Sequence, residues 1–162
     1  MHIGFIGLGN VGAKLAASIQ RNGLDLTVHD LDPEAARGFT DAGAGWADSP
    51  AELARTVDIA ITCLPSPEAC HTVVAGESGL IEGMGPGKVW IEMSTTDATE
   101  MARLADRVAA TGASVAECPV SGGCHRAATG NISIFAGTDR ATFERILPLL
   151  TVLGSRCLHH MT

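Results

Sequence analysis

The stretch HIGFIGLGNVGAKL, residues 2–15, decides the fold. Its first half is a short apolar, β-rich run, and its second half opens an amphipathic helix. Between them Gly7, Gly9 and Gly12 spell G-x-G-x-x-G. Each glycine has a separate physical task. Gly7 permits the tight turn, Gly9 lets the backbone approach a pyrophosphate, and Gly12 lets the helix pack against the strand. The residues from Gly7 through Leu8, Gly9, Asn10 and Val11 to Gly12 are therefore expected to cradle the phosphates of a dinucleotide. The helix tip adds unpaired N–H groups and the positive end of its dipole. Such a loop alone is a weak sign. Here the next apolar run, LDLTVH, ends at Asp30, 18 residues after Gly12. A carboxylate at that place accepts hydrogen bonds from a ribose diol and repels a 2′-phosphate. The nearest following arginine is Arg37, so the pattern favours NAD over NADP. Asp32 precedes Pro33 and is expected to cap the next helix, which leaves Asp30 free for ribose. Lys14 lacks Walker-type spacing and reads as a solvated helix residue.

Outward from this unit, apolar runs alternate with helix-period stretches. Strands are expected at 2–6, 25–29, 58–62, 88–92, 113–117 and 131–136, with a weak one near 156–158. Helices are expected at 11–21, 33–42, 50–56, 67–74, 97–110 and 139–150. The alternation predicts one α/β domain over residues 1–162. It would be Rossmann-like and doubly wound, a mostly parallel sheet with helices on both faces. Strand order is not legible from the pattern.

Composition agrees with a packed domain. The 162 residues are 46% hydrophobic and 18% charged, which excludes disorder. A formal charge of −7 argues against nucleic acid as a partner. No apolar run approaches membrane-spanning length and no charged leader precedes a cleavage site, so a cytoplasmic protein without membrane contact is expected. Five irregularly spaced cysteines suit free thiols. Cys70-His71 and Cys124-His125 fall in different expected elements and no C-x-x-C occurs, so no metal is expected.

In an open parallel sheet, ligands gather at the carboxyl ends of the strands. Those ends carry Leu64-Pro65, a stiff apolar wall, then Ser94, Thr95 and Thr96, whose hydroxyls suit a carboxamide or ribose. Thr96 could equally cap the following helix. The third end, Ser121-Gly122-Gly123, would expose successive N–H groups suited to a carboxylate. Each site alone could be a plain turn.

Taken in order, GFIGLGNVG (4–12), LPSPEA (64–69), EMSTT (92–96) and ECPVSGGCHRAATGNISIFAGTD (117–139) resemble the β-hydroxyacid dehydrogenase family, and 3-hydroxyisobutyrate dehydrogenases in particular. The likeness runs through essentially the whole chain. It implies that Leu64, Pro65 and Thr95 contact NAD and that Ser121, Gly122 and Gly123 anchor the carboxylate of a small β-hydroxy acid. It implies a complete enzyme that is a homodimer or higher homo-oligomer, with a catalytic Lys and a helical domain beyond residue 162. Glu117-Cys118, Ala69 and Ala98 depart from the family pattern of Asp-Ala, Asn and Pro.

Hydride transfer from an alcohol needs a group that takes the hydroxyl proton. Neither lysine, Lys14 nor Lys88, matches the family's catalytic position, so the chain alone is expected to bind without turnover. His125, near neutrality in its ordinary pKa, is the nearest substitute, but it reads as an exposed helical-turn residue. His29 is expected to sit beside adenine, and His159-His160 continues a strand from Cys157-Leu158. Two alternatives stand: a non-catalytic nucleotide-binding or interaction module, and an imine-reductase-like relative. An in-frame G-x-G-x-x-x-K segment downstream would favour the enzyme over the module, and assays of the completed chain with β-hydroxy acids against cyclic imines would decide the other.

Overall fold

The computed structural model describes residues 1–95 and 97–160. Thr96, read above as a hydroxyl donor or a cap, lies outside them. The chain folds as β1 (His2–Ile6), α1 (Gly12–Arg21), β2 (Asp25–His29), α2 (Pro33–Asp41), β3 (Gly45–Trp46), α3 (Pro50–Thr56) and β4 (Ile59–Thr62). It continues through α4 (Pro67–Ala75), a 3₁₀ turn at Leu80–Gly83, β5 (Val89–Glu92), α5 (Ala98–Ala109) and β6 (Ser114–Glu117). The last elements are β7 (Val120–Ser121), α6 (Gly123–Ala128), β8 (Ser133–Gly137), α7 (Arg140–Leu153) and β9 (Arg156–His160).

Six strands run parallel in the order β3-β2-β1-β4-β5-β6. The chain winds outward from β1 to β3, then returns to place β4 on the other side of β1. That reversal opens a crevice beyond the carboxyl ends of β1 and β4, the usual ligand position in such sheets. β6 and β7 form one antiparallel run along β8, with Glu117 opposite Gly137 and Val120 opposite Ile134. β9 adds in parallel to the other edge of β8.

The central strands are buried on both faces, as a parallel sheet requires. Alternation divides the core in two. Ile3, Phe5, Ile61 and Ile91 pack with Leu15 and Ile19 of α1 and Leu149 and Leu153 of α7. Ile6, Ala60 and Trp90 point the other way, toward Leu53 of α3, Val74 of α4 and Leu104 of α5. This is the Rossmann-like, doubly wound α/β architecture that the sequence predicts.

Five helices begin with a side chain closing the first turn: Asp32, Ser49, Ser66, Asp97 and Asp139 each accept an N–H of their own helix. Helices α1 and α6 start at Val11 and Gly122 with no such bond. Lys88, at the amino end of β5, donates to the carbonyls of Ala54 (2.6 Å), Arg55 (3.2 Å) and Val57 (2.6 Å). It closes the carboxyl end of α3, where orphan carbonyls need donors.

The structure corrects several element boundaries. β3, β7 and the 3₁₀ turn are additions to the expected elements, the helical turn expected at His125 is the short helix α6, and β8 begins at Ser133 rather than Asn131. The strand near 156–158 is not weak: Arg156–His160 pairs with β8 at five positions. Its polar alternation follows from its position at the edge, with one face wet. All five cysteines are free thiols. No described helix is long and apolar enough to cross a membrane.

Candidate functional site

The crevice beyond β1 and β4 has a volume of about 740 Å³ and mainly apolar walls, a size that suits a small-molecule or cofactor site. Its floor is the glycine loop. Gly7 has φ +96°, and its N–H donates to the His29 carbonyl at 3.1 Å, which ties the turn to β2. A Cβ at Gly7 would collide with the Cys63 carbonyl, and one at Gly12 with the carbonyl of Gly7 itself. A Cβ at Gly9 meets nothing within 4 Å. Two glycines are thus required by the protein's own backbone, and the third faces empty space.

The loop also leaves donors unspent. The first N–H groups of a helix have no carbonyl one turn earlier. From Gly9 to Gly12 none finds another acceptor among the described residues. No side chain caps α1 either. An anion at this tip would meet free N–H groups and the positive end of a ten-residue helix.

Asp30 stands at the carboxyl end of β2 and lines the same crevice. Its Oδ2 accepts from the Leu8 N–H at 2.6 Å and its Oδ1 from the Asp32 N–H at 3.0 Å. The carboxylate is held against the loop, with lone pairs remaining for a diol. Asp32 caps α2 through the Glu34 N–H, as expected. Arg37 pairs with Glu34 at 3.1 Å.

Gly7, Gly9, Asn10, Val11, Gly12, Asp30, Leu64, Pro65 and Thr95 all come together on the crevice wall. Leu8 does not. Its side chain is buried in the core and its N–H is spent on Asp30, so it serves the site from behind. Of the Ser121-Gly122-Gly123 turn, Gly123 reaches the wall, while Ser121 and Gly122 are exposed outside it. Gly122 and Gly123 have φ of +132° and +72°, and a Cβ at Gly122 would strike the Arg126 side chain. Lys14, Lys88 and His125 lie outside the lining. His29 lines it, its Nδ1 2.9 Å from the Ala47 carbonyl and its ring 5.6 Å from that of Trp46. His159 of β9 stacks on Phe143 of α7, far along the sheet from the glycine loop.

Other lining residues carried little signal in the sequence. Leu31, 94% exposed at the mouth, is an apolar side chain between two acids where a turn needs none. Ser94 lines the wall, but its hydroxyl accepts the Leu64 N–H at 2.7 Å. Cys63 also faces the crevice. Burial, and then the Glu92 carboxylate, push its thiol up to about 12, so it presents a neutral apolar surface. No group of three His, Cys, Asp or Glu side chains able to hold a metal ion occurs among the described residues.

The family described as the NAD-binding domain of 6-phosphogluconate dehydrogenase matches residues 2–161. Mitochondrial 3-hydroxyisobutyrate dehydrogenase of Mus musculus is 35% identical over 157 residues, 97% of this chain and 47% of that protein. The chain thus spans about half the length of that relative. Human cytokine-like nuclear factor N-PAC is 35% identical over 94% of this chain and 28% of its own length. The crystal structure of 3-hydroxyisobutyrate dehydrogenase from Salmonella typhimurium superposes with a TM-score of 0.91 at 30% identity, over 99% of this chain and 56% of that one. Psf3 in complex with NADP+ superposes at 0.93 and 28% identity, over 98% and 56%.

Proposed function

Because this chain belongs to the family of the NAD-binding domain of 6-phosphogluconate dehydrogenase, we propose that its crevice holds NAD in preference to NADP, as part of an oxidoreductase of small β-hydroxy acids. One observation carries the reading. The glycine loop leaves a space at Gly9 and free N–H groups from Gly9 to Gly12, beside a carboxylate already fastened to the same loop. These residues fit a diphosphate and a ribose together. Asp30 would accept from the adenosine ribose, and a 2′-phosphate there would meet its charge. Leu31 at the mouth offers an apolar surface to the adenine, and Leu64, Pro65 and Thr95 would hold the other end.

NAD, when bound, supplies the hydride acceptor. The chain's residues do the positioning. Ser121, Gly122 and Gly123 would bring the substrate carboxylate to the rim, Gly123 already reaching the crevice wall. The proton of the hydroxyl needs an acceptor. Lys14 and Lys88 stand elsewhere and His125 is exposed outside the lining. We assign that role to a Lys outside residues 1–162, supplied with a helical domain in a homodimeric or larger complete enzyme. The likeness to 3-hydroxyisobutyrate dehydrogenases supports this substrate class. The comparable identity to N-PAC, whose name describes a nuclear factor and not a dehydrogenase, supports a second reading, a non-catalytic nucleotide-binding or interaction module.

Calorimetry with NAD and NADP, followed by a turnover assay with 3-hydroxyisobutyrate, tests the reading. NAD binds more tightly and turnover by this chain alone is negligible. Equal affinities defeat the role of Asp30, and robust turnover lost in His125→Ala defeats the assignment of the proton acceptor. The same assay on the chain extended by its in-frame downstream sequence separates the two readings, since only the dehydrogenase gains activity.

A further inference from the structure

A carboxylate lies inside the wall formed by β4 and β5. Glu92 ends β5 and is fully buried. Its Oε2 accepts from the Thr62 hydroxyl at 2.5 Å and the Cys70 thiol at 3.0 Å. Its Oε1 accepts from the Ser94 N–H at 2.6 Å. The network extends in both directions. The Thr62 hydroxyl takes the indole N–H of Trp90 at 2.8 Å, and the Ser94 hydroxyl takes the Leu64 N–H at 2.7 Å. One buried group therefore fixes the loop after β5 directly and the loop after β4 through Ser94.

Packing alone does not call for a carboxylate here. An apolar side chain in a core commonly serves stability as well as a buried charged group does, and a buried carboxylate is tolerated only when its oxygens are satisfied. What Glu92 adds is placement. Leu64, Pro65, Ser94 and Thr95 all line the crevice; of these, the Ser94 backbone is tied to this side chain directly and the Leu64 backbone through the Ser94 hydroxyl. With the adenosine ribose at Asp30 and the diphosphate at the tip of α1, a dinucleotide lying across the β1/β4 reversal directs its other half toward this wall.

We propose that Glu92 is a positioning residue for the nicotinamide half of the dinucleotide, acting through Ser94 and Leu64. The proposal rests on the NAD reading above. It touches neither the glycine loop nor Asp30, so its effect is confined to one end of the ligand.

NADH and ADP-ribose, which carry the same charge and differ in the dihydronicotinamide, separate the two halves. The whole chain is titrated with each, and the fluorescence of bound NADH is recorded. The wild type binds NADH more tightly than ADP-ribose and raises the nicotinamide emission. Glu92→Gln replaces one accepting oxygen by N–H donors. It lowers NADH affinity about tenfold, the scale of one charge-assisted hydrogen bond, removes the emission gain and leaves ADP-ribose affinity within about twofold. Thr62→Val is isosteric, lines no part of the crevice, and gives the same split should Glu92→Gln fail to fold. Equal losses for both ligands, no loss in either variant, or equal binding of the two ligands by the wild type overturns the positioning role and leaves the NAD reading standing. Failure of ADP-ribose to bind the wild type overturns both.

Discussion

Valine at Gly9 should separate folding from binding. A Cβ built there meets nothing within 4 Å, and the residue is not among the glycines with positive φ. The folded chain has room for the side chain, and losing a glycine reduces the freedom of the unfolded chain. Stability should stay within about 1 kcal/mol of the wild type, or about 2–4 °C in Tm for a chain of this size. The volume that valine fills is the volume a diphosphate must enter to reach the N–H groups from Gly9 to Gly12. A hydrogen bond to a charged group contributes about 1.5–3 kcal/mol. Losing two therefore costs about 3–6 kcal/mol, roughly a hundredfold to ten-thousandfold in Kd. Gly12→Ala is the opposite control. Its Cβ would collide with the Gly7 carbonyl and crowd the Phe5 ring, so it should lower Tm markedly. Calorimetry with NAD and thermal melts on both variants decide the matter. Gly9→Val binding within about threefold of the wild type, or melting as early as Gly12→Ala, would refute the division of labour among the glycines.

Three further outcomes follow from particular contacts. Asp30→Ala should narrow the NAD-to-NADP affinity ratio by about tenfold, while some affinity for both is lost with the Leu8 N–H bond; an unchanged ratio in paired titrations would remove Asp30 from cofactor choice. Lys88→Met should uncap the end of α3, lowering stability by about 2 kcal/mol and Tm by about 4–8 °C, with NAD affinity unchanged; a parallel loss of affinity would show that Lys88 reaches the site. Acid should weaken the fold through Asp58 and Asp139, both held below their ordinary 3.8, Asp58 chiefly by the His2 N–H and Asp139 chiefly by the Thr142 hydroxyl. Because their folded pKa lies under the unfolded one, they stabilise the fold above that ordinary value and lose this as pH falls through the folded value. Melts of Asp139→Asn should therefore be lower than the wild type at neutral pH and converge with it as pH falls through the lowered folded pKa of Asp139.

The glycine loop was legible because the protein's own atoms dictate two of its glycines and empty space permits the third. The helices were legible for a local reason. Asp32-Pro33, Ser49-Pro50 and Ser66-Pro67 place an accepting side chain just before a residue that needs no acceptor. The short elements were not. β3 and β7 have two residues each, too few to show alternation, and α6 buries only Ala127. β9 reads as polar because only one face meets the core. Within the site, Ser94 reads in the sequence as one of three hydroxyls suited to a carboxamide or ribose, and in the fold its hydroxyl holds Leu64. The carboxylate of Glu92 looks in the sequence like the polar end of an apolar strand. Its role depends on Thr62 and Cys70, which are 30 and 22 residues away and meet it only across the folded sheet.

A crystal structure of this chain grown with saturating NAD tests the assignment of the crevice most directly. The diphosphate should lie against the N–H groups from Gly9 to Gly12, with the adenosine ribose hydroxyls on Asp30. An empty crevice at saturating ligand, or the dinucleotide bound elsewhere on the chain, would contradict it.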